Sequence, residues 1–267
     1  MARTEEKIRA TGLASGADLD TAPRRRGRPW VGRYLFMPTL LAIVLFFTFV
    51  SMARRDMDPV EEKRLDLDFI LARTQEHLEL TVVSTLIVLV VAIPFGIFLT
   101  RHFARPVTPF AIAVFNVGQA VPTIGLMVLF AIYWRIGFTP TVVALAAYTT
   151  LPVLRNTMVG LTQVDESVIE SARGMGMTKR QVLTRIELPL AVPVMMAGLR
   201  TALTINVGTA TLGAFIGAGG LGSLIVSGFS SNHPYITIIG GILVAVLALL
   251  VDYVAGIAED LLRPKGL

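Results

Sequence analysis

The 267-residue chain contains no cysteine, so it can form neither a disulfide framework nor a thiolate metal site. Its three histidines, His77, His102 and His233, are too far apart for metal-ligand spacing, and we expect them at solvated or interfacial positions. No nucleophile lies in a pattern with a base. Charged residues make up only 16% of the chain, against about 25% in soluble domains. These absences exclude a soluble catalytic domain and predict no metal and no cofactor.

Long uncharged hydrophobic runs predict an all-α membrane protein, a polytopic bundle of about six transmembrane helices. A span takes about 20 apolar residues as helix, because lipid cannot satisfy free backbone groups. Pro94, Pro122 and Pro152 predict local kinks. The fourth span is short and could continue past Arg155. The predicted spans are residues 35–52, 80–100, 110–133, 138–154, 190–212 and 236–257.

The first span reads as a retained anchor rather than a cleaved signal peptide. More than thirty residues precede it, and no A-x-A-like cleavage site follows it. The residues before it carry the basic run RRRGR (24–28), which suits anionic lipid on the cytoplasmic face better than nucleic acid. We expect residues 1–33 to be a disordered cytoplasmic tail and residues 34–79 to hold the first span and an external segment.

The distribution of lysine and arginine predicts that both chain ends are cytoplasmic. Most of the 24 basic residues fall on the side that holds the tail, the loop at 155–189 and the C-terminal residues 259–267. Arg54 and Arg55, directly after the first span, oppose this orientation. Because the predicted number of spans is even, the two ends share one side of the membrane.

The glycine-rich stretch IGAGGLG (216–222) spells G-x-G-x-x-G, a pattern that can cradle a dinucleotide phosphate. Its surroundings do not fit that function, since a predicted transmembrane helix precedes it. No Asp or Glu for a ribose occurs between Ser223 and Val251. No lysine follows a glycine, so the G-x-x-x-x-G-K-[ST] loop is also absent. Small residues allow close helix approach in membranes, which predicts a tightly folded external connection between spans five and six.

The polar loop at 155–189 is too long for a plain connector and predicts two short helices. The first runs over 165–174, with Ser167 and Glu170 at capping-box spacing and a left-handed end at Gly174 or Gly176. The second begins at Thr178, where Gln181 completes a capping box. Pro189 stops it near Glu187. The apolar faces comprise Val164, Val168, Ala172 and Met175 on the first helix, and Val182, Leu183 and Ile186 on the second.

The pattern alone leaves two interpretations of this helix pair open. It could lie on lipid as an interfacial pair, or dock into a groove of a cytoplasmic partner. A resemblance decides between them, because the loop is similar to the signature E-A-A-x3-G-x9-I-x-L-P of permease subunits of ABC importers. Every spacing is kept, with Ser171 for an alanine as the single departure. The matching residues are Glu170, Ser171, Ala172, Gly176, Ile186, Leu188 and Pro189.

The resemblance implies a type I permease fold in which this loop is the coupling helix that docks on an ATP-hydrolysing subunit. Glu170 would cap the loop or pair with a basic group of that partner, and Gly176 would permit the turn between the two helices. The chain itself would be a transport subunit and not an enzyme. A stand-alone secondary transporter or channel, the alternative from another class, would have no ATPase to dock.

Further stretches resemble the osmoprotectant branch of that family, which carries glycine betaine, choline or carnitine. They are LPVLRNTMVGL (151–161), ARGMGM (172–177), ELPLAVPVMMAGLRTA (187–202) and IGAGGLG. This resemblance covers about residues 75–260 and implies a permease domain at 80–258. It implies two copies of an ATP-binding subunit, a second permease, either identical or related, and a separate extracytoplasmic binding protein, in the bacterial inner membrane. Methionine importers share the last stretch, so methionine or another small polar solute is the alternative cargo.

Polar residues inside spans usually face an interior, and we expect some of them to line the translocation path. Asn116 and Gln119 are three positions apart and share a helix face. Interhelical hydrogen bonding is the alternative role for the whole set. Arg200 would either reach toward the cytoplasmic interface or pair with a polar neighbour, and Asp252 would be interfacial. The predicted path residues are Asn116, Gln119, Thr123, Asn206 and Thr209.

Overall fold

The computed structural model describes residues 30–262, with side chains from residue 34 onward, and every regular element in this range is helical. Most of the predicted basic tail, with RRRGR, lies outside the described residues, as do residues 263–267. The α-helices are α1 (Trp30–Arg54), α2 (Pro59–Arg64), α3 (Leu67–Thr100), α4 (Thr108–Ala120), α5 (Thr123–Tyr133), α6 (Phe138–Thr162), α7 (Glu166–Gly174), α8 (Lys179–Val182), α9 (Leu188–Ala210), α10 (Gly222–Ser230) and α11 (Pro234–Leu262).

Three short segments complete the secondary structure: 3₁₀-helices at His102–Ala104 and Thr211–Ile216, and a π-helical turn at Leu183–Glu187. By its internal contacts the chain divides after Met37. The first unit contains the beginning of α1. The second unit, Pro38–Leu267, contains the rest of α1 and all the other elements.

Within the described residues, five helical segments are long and apolar enough to cross a membrane, and the bent pair α4 and α5 would make a sixth span. The predicted third span is therefore two helices, which meet at 93°. The break falls at Val121 and Pro122, where both backbones are extended, because proline disfavours the helical conformation in the residue before it. The predicted kink at Pro122 is thus confirmed. Pro94 and Pro152 lie inside α3 and α6.

Several spans extend beyond their predicted limits, among them the second and the fourth. The second was expected to begin at residue 80, but α3 begins at Leu67, because the carboxylate of Asp66 caps it by accepting from the N–H groups of Asp68 and Phe69. Its 34 residues would measure about 51 Å, against a hydrocarbon core of about 30 Å. The first turns of α3 therefore stand outside the lipid. The fourth span continues past Arg155, since α6 ends at Thr162.

Glycines allow α3, α6 and α9 to pack closely at the centre of the bundle. A Cβ on Gly96 of α3 would lie 2.8 Å from the Thr157 methyl group of α6, and a Cβ on Gly198 of α9 would overlap Asn156 of α6. Such contacts are the usual basis of helix association in lipid, where apolar burial drives association little.

The bundle has two ends, which we name by their loops. The coupling end holds the segment from Thr162 to Leu188, and the glycine end holds Gly217–Gly222. Arg101, which precedes α4, pairs with Glu187 at the coupling end. Gly137, which follows α5, lies against the carbonyl oxygen of Gly217 at the glycine end. The bent pair therefore runs from one end of the bundle to the other and supplies the sixth crossing.

The glycine run packs tightly against the start of α3. The Gly220 N–H donates to Oε2 of Glu76 over 2.8 Å, and Arg73 donates to the same oxygen over 2.7 Å. A Cβ on Gly219 would overlap that carboxylate. The adjacent His77 is fully buried and hydrogen-bonds the Val207 carbonyl oxygen over 2.9 Å. The expected solvated or interfacial position of His77 was therefore wrong, because packing of α3 on α9 covers the start of this helix.

Candidate functional site

The first helix of the coupling loop, α7, is capped by Asp165. Its Oδ1 accepts from the Ser167 N–H over 2.8 Å, and this hydrogen bond holds the pKa of the Asp165 carboxyl below its usual value. The predicted capping box of Ser167 and Glu170 was therefore wrong. Asp165 is itself one of the strongest N-cap residues and lies two positions earlier, so the helix begins there.

A Schellman motif ends α7 and explains why the coupling signature contains a glycine. The Met177 N–H donates to the Ala172 carbonyl over 3.2 Å, and the Gly176 N–H donates to the Arg173 carbonyl over 2.9 Å. Gly176 has a φ of +85°, in the left-handed region that this motif requires. Ala172 is buried beneath the turn, where a larger side chain would not fit without rearrangement. Of the two glycines predicted as a left-handed end, Gly176 is the one that adopts this conformation, and Gly174 is still helical.

The second helix begins as predicted but does not stop where predicted. Thr178 and Gln181 form a reciprocal capping box, in which Gln181 N–H donates to Oγ1 of Thr178 and Thr178 N–H donates to Oε1 of Gln181. The helix then passes Pro189 and continues as one span over Lys179–Ile216.

The π-helical turn is the physical reason that Pro189 does not end the helix. The Leu188 N–H donates to the Leu183 carbonyl, five residues back, so the hydrogen-bond register shifts by one residue. Pro189 then occupies the first turn of α9, where proline is tolerated. α8, the π-helical turn and α9 therefore form one continuous rod, and the predicted stop near Glu187 was wrong.

The surface of α7 combines an unpaired carboxylate with exposed apolar side chains. Among residues 34–262, Glu170 finds no hydrogen-bond or ion-pair partner. Val168 and Met175 are 40% and 76% exposed. Ser171, the one departure from the signature, is also exposed, so replacing the usual alanine with serine buries no hydroxyl group. Ile186, Leu188 and Pro189 are half-buried along the rod.

Two of the predicted path residues join α4 to α6. Oδ1 of Asn116 accepts from Nη2 of Arg155 over 2.6 Å, and Nε2 of Gln119 donates to the Tyr148 carbonyl over 3.0 Å. Asn116 and Gln119 therefore share a face, as predicted. Asn116 and Arg155 are both exposed in the single chain. Sequence reasoning used Arg155 only to limit a span, although a charge inside a continuing helix was a signal that marked it as a site residue.

The other predicted path residues lie elsewhere. Thr123 is buried at the start of α5. Asn206 is fully buried, and its Nδ2 donates to the hydroxyls of Ser84 and Thr85 over 2.6 and 3.0 Å, which ties α9 to α3. Thr209 bonds the Ile205 carbonyl of its own helix. The five residues are thus not brought together, and the position of Asn206 matches the alternative role of interhelical hydrogen bonding.

Arg200 pairs across the bundle rather than reaching for an interface. Its guanidinium makes a bidentate ion pair with Asp252 of α11, with Nη2 2.6 Å from Oδ2. Nη1 lies 3.9 Å from Oε2 of Glu259, about two turns further along the same face. Gly256 lies between the two acids in sequence and next to the guanidinium. Pairing with a polar neighbour, one of the two roles expected for Arg200, is the observed one.

Comparison with known proteins places this geometry in a family. Residues 92–264 match the family described as the inner membrane component of binding-protein-dependent transport systems. The choline transport system permease protein OpuBB of Bacillus subtilis is 38% identical over 198 residues, which cover 74% of this chain and 90% of that protein. The osmoprotectant import permease protein OsmY of Salmonella typhimurium is 39% identical over 213 residues, covering 80% and 87%.

A solved structure shares the fold. An inward-facing form of the MetNI methionine ABC transporter superposes with a TM-score of 0.65 at 23% identity, over 73% of this chain and 96% of that one. At this identity the likeness concerns the arrangement of the helices and not the cargo. The arrangement shared with that transporter is the polytopic helical bundle described above.

Proposed function

This chain belongs to the family of inner membrane components of binding-protein-dependent transport systems, and from that premise we propose that it imports a small osmoprotectant, such as glycine betaine, choline or carnitine. It is a multi-pass permease subunit of the inner membrane. The single observation that supports this choice of cargo is the 38% and 39% identity to permeases named for choline and for osmoprotectants. The MetNI likeness does not favour methionine, because it rests on the fold alone.

In this proposal the coupling loop is the docking element for an ATP-binding subunit. The exposed surface of α7 supports it, since the Glu170 carboxylate, which has no partner among residues 34–262, lies on the same short helix region as the exposed apolar Val168 and Met175. An amphipathic helix of this kind fits a groove, where its apolar side chains are buried and its charge meets a basic group. Two such subunits would drive transport, one on each permease of a pair, and hydrolysis would belong to them rather than to this chain.

The translocation path is proposed to run along the exposed face of α4 and α6, at Asn116, Gln119 and Arg155. A guanidinium and an amide on the outside of spanning helices are costly in lipid, so this face would line a water-filled path or meet the second permease. Thr123, the first residue of α5, is buried and is not assigned to this face. Asn206 is proposed to hold α9 to α3, given the bonds it makes, and Thr209, which bonds only its own helix, is given no role in the path.

The orientation follows from the same assignment. The coupling end would lie in the cytoplasm with both chain termini, and the glycine end would face the binding protein outside. The permease domain would span 80–258, preceded by the additional first helix and external segment at 34–79, with a basic cytoplasmic tail at 1–33 and a second cytoplasmic tail at 259–267. The second permease would be a copy of this chain or a relative.

Uptake by proteoliposomes tests the proposal. The permease is reconstituted with its ATP-binding subunit and binding protein, and labelled choline, glycine betaine, carnitine and methionine are offered with and without ATP. We expect ATP-dependent uptake of at least one quaternary amine and none of methionine. Equal uptake without the ATP-binding subunit would refute the importer assignment, and uptake of methionine alone would refute the cargo.

Accessibility labelling tests the orientation independently. Because the chain contains no cysteine, a single cysteine in place of Ser171 provides an unambiguous label. We expect a membrane-impermeant maleimide to modify it in inside-out vesicles and not in intact cells. Labelling only from outside would overturn the assignment of the coupling loop to the cytoplasm.

A further inference from the structure

An ion pair links the coupling loop to a second span. At the end of the π-helical turn, the carboxylate of Glu187 pairs with the guanidinium of Arg101, with Oε2 2.7 Å from Nη2 and Oε1 3.5 Å from Nη1. Arg101 is the residue that caps the end of α3. The two residues are 86 positions apart, so the contact is a product of the fold and not of local sequence.

The surroundings of this pair favour one geometry. Glu187 is only 6% exposed, and a buried carboxylate is strongly disfavoured without its partner. The Arg101 side chain is oriented from its own helix, because Nε donates to the Ile97 carbonyl and Nη2 donates to the Thr100 hydroxyl. A planar guanidinium held in this way matches the two carboxylate oxygens.

The position of Glu187 in the rod determines which elements the ion pair connects. Glu187 ends the π-helical turn between α8, the second helix of the coupling loop, and α9. Turns of this kind are rare and often lie at functional sites. A push on α8 is therefore transmitted covalently to α9 and through Arg101 to α3.

A second connection ties α3 to α9 toward the glycine end. Toward the glycine end, Asn206 bonds Ser84 and Thr85, and the Val207 carbonyl bonds His77. These bonds lie far from the coupling loop and cannot by themselves hold the coupling end of α3 to the rod. The Arg101–Glu187 pair is the ion pair that does so among residues 34–262.

We infer that the Arg101–Glu187 ion pair makes the coupling end of α3 follow the coupling helix, and thereby sets how much solute moves per ATP hydrolysed. Both groups are positioning residues, since neither needs to touch the solute or the nucleotide. The inference rests on the proposed function, because it presupposes an ATP-binding subunit on the coupling loop. Without the pair, the rod moves while α3 lags, and hydrolysis proceeds with incomplete rearrangement of the spans.

The test uses the complete transporter in proteoliposomes and compares Arg101→Gln, Glu187→Gln and the exchanged pair Arg101→Glu with Glu187→Arg. Three quantities are measured: co-purification of the ATP-binding subunit, ATP hydrolysis, and solute uptake per ATP. We expect co-purification and hydrolysis to remain near wild type. Uptake per ATP should fall about five-fold or more in each single variant, and the exchanged pair should recover a large part of it.

Arg55→Gln provides a matched control. Arg55 pairs with Glu61, whose side chain is 6% exposed, much like the 8% of Glu187, but this pair lies beyond the end of α1 and away from the coupling loop. Uptake per ATP should be unchanged in this variant. An equal loss in the control would show that removing any such pair impairs the protein, and would overturn the inference.

A reversible cross-link separates coupling from folding. In the cysteine-free chain, Arg101→Cys with Glu187→Cys is bridged by a bis-methanethiosulfonate spacer, and uptake per ATP is measured before and after reduction. We expect the bridged protein to be coupled and the reduced protein to be uncoupled. Unchanged ratios on reduction, or failure of every variant to assemble, would show a structural role only and overturn the inference. Loss of ATP-binding-subunit co-purification in the wild type would instead refute the proposed function.

Discussion

The carboxylate of Glu76 accepts a hydrogen bond from the Gly220 N–H over 2.8 Å, across 144 positions of sequence. The same oxygen accepts from Arg73, so one carboxylate ties the glycine run to α3 at the glycine end. The glycines of G-x-G-x-x-G here allow a side chain of the protein to approach the backbone, where in a dinucleotide site they would allow a phosphate to do so.

Substitution at Gly219 should disrupt this tie. Both Gly219 and Gly217 have positive φ, so Ala at either costs about 1–2 kcal/mol, but only at Gly219 would the Cβ displace the Glu76 carboxylate. We expect Gly219→Ala to lower the thermal midpoint in detergent more than Gly217→Ala does. The difference should vanish in a Glu76→Ala background, and its persistence there would contradict the assignment.

Substitution at Gly176 should uncouple hydrolysis from transport. A leucine there must adopt a φ of +85° at a cost of about 1–2 kcal/mol, so the Schellman turn opens and α7 changes its angle to the rod. We expect Gly176→Leu to insert normally and allow ATP hydrolysis but to transport little. Gly174→Leu is the control, because that site is helical and its Cβ would meet nothing within 4 Å. Normal transport by Gly176→Leu would remove the coupling role.

Substitution at Gly198 should separate α9 from α6. A larger side chain would overlap Asn156, and overpacking of this kind costs about 1–3 kcal/mol. We expect Gly198→Leu to reduce the yield of folded protein and its thermal midpoint. Gly208, on the same helix, has nothing within 4 Å of its Cβ position, and Gly208→Leu should fold nearly as wild type. Comparable losses in the two variants would argue against close packing at Gly198.

Removal of one partner of the Arg200–Asp252 pair should be worse than removal of both. Either single variant, Arg200→Met or Asp252→Leu, leaves a charge within the spans that has lost its bidentate partner. We expect the double variant to have a higher thermal midpoint than Arg200→Met alone. A double variant as unstable as the sum of the singles would show that the two residues do not interact.

The sequence predicted well those features that depend on neighbours along the chain. The capping box of Thr178 and Gln181 and the left-handed Gly176 were both recognisable, because each requires particular residue types within a few positions. The prediction failed at Ser167, because Asp165, two positions earlier, caps the helix instead. It also failed at Pro189, because the π-helical turn before it places the proline in the first turn of α9. That turn has no local signature comparable to a cap.

The residues of the candidate site divide in the same way. The coupling signature was complete in the sequence, whereas the partner of Arg155, Asn116, was defined only by the packing of α4 against α6. For Asn206 the structure gives the opposite result: the residue was predicted to line the path, but it lies in the contact between α3 and α9. Whether a polar residue in a span faces a path or a neighbouring helix depends on the rotation of the helix, which helix periodicity in one chain does not define.

By itself, the sequence determined that this protein is a bundle of membrane-spanning helices with a polar helical loop between the fourth and fifth, since apolar runs and caps act locally. Only the tertiary structure decided which distant groups meet. These are the ion pairs of Arg101 with Glu187 and of Arg200 with Asp252, and the hydrogen bond from the Gly220 N–H to Glu76. The physical reason is that each of these contacts depends on how two distant segments pack. That packing depends on where small residues let the two backbones approach each other.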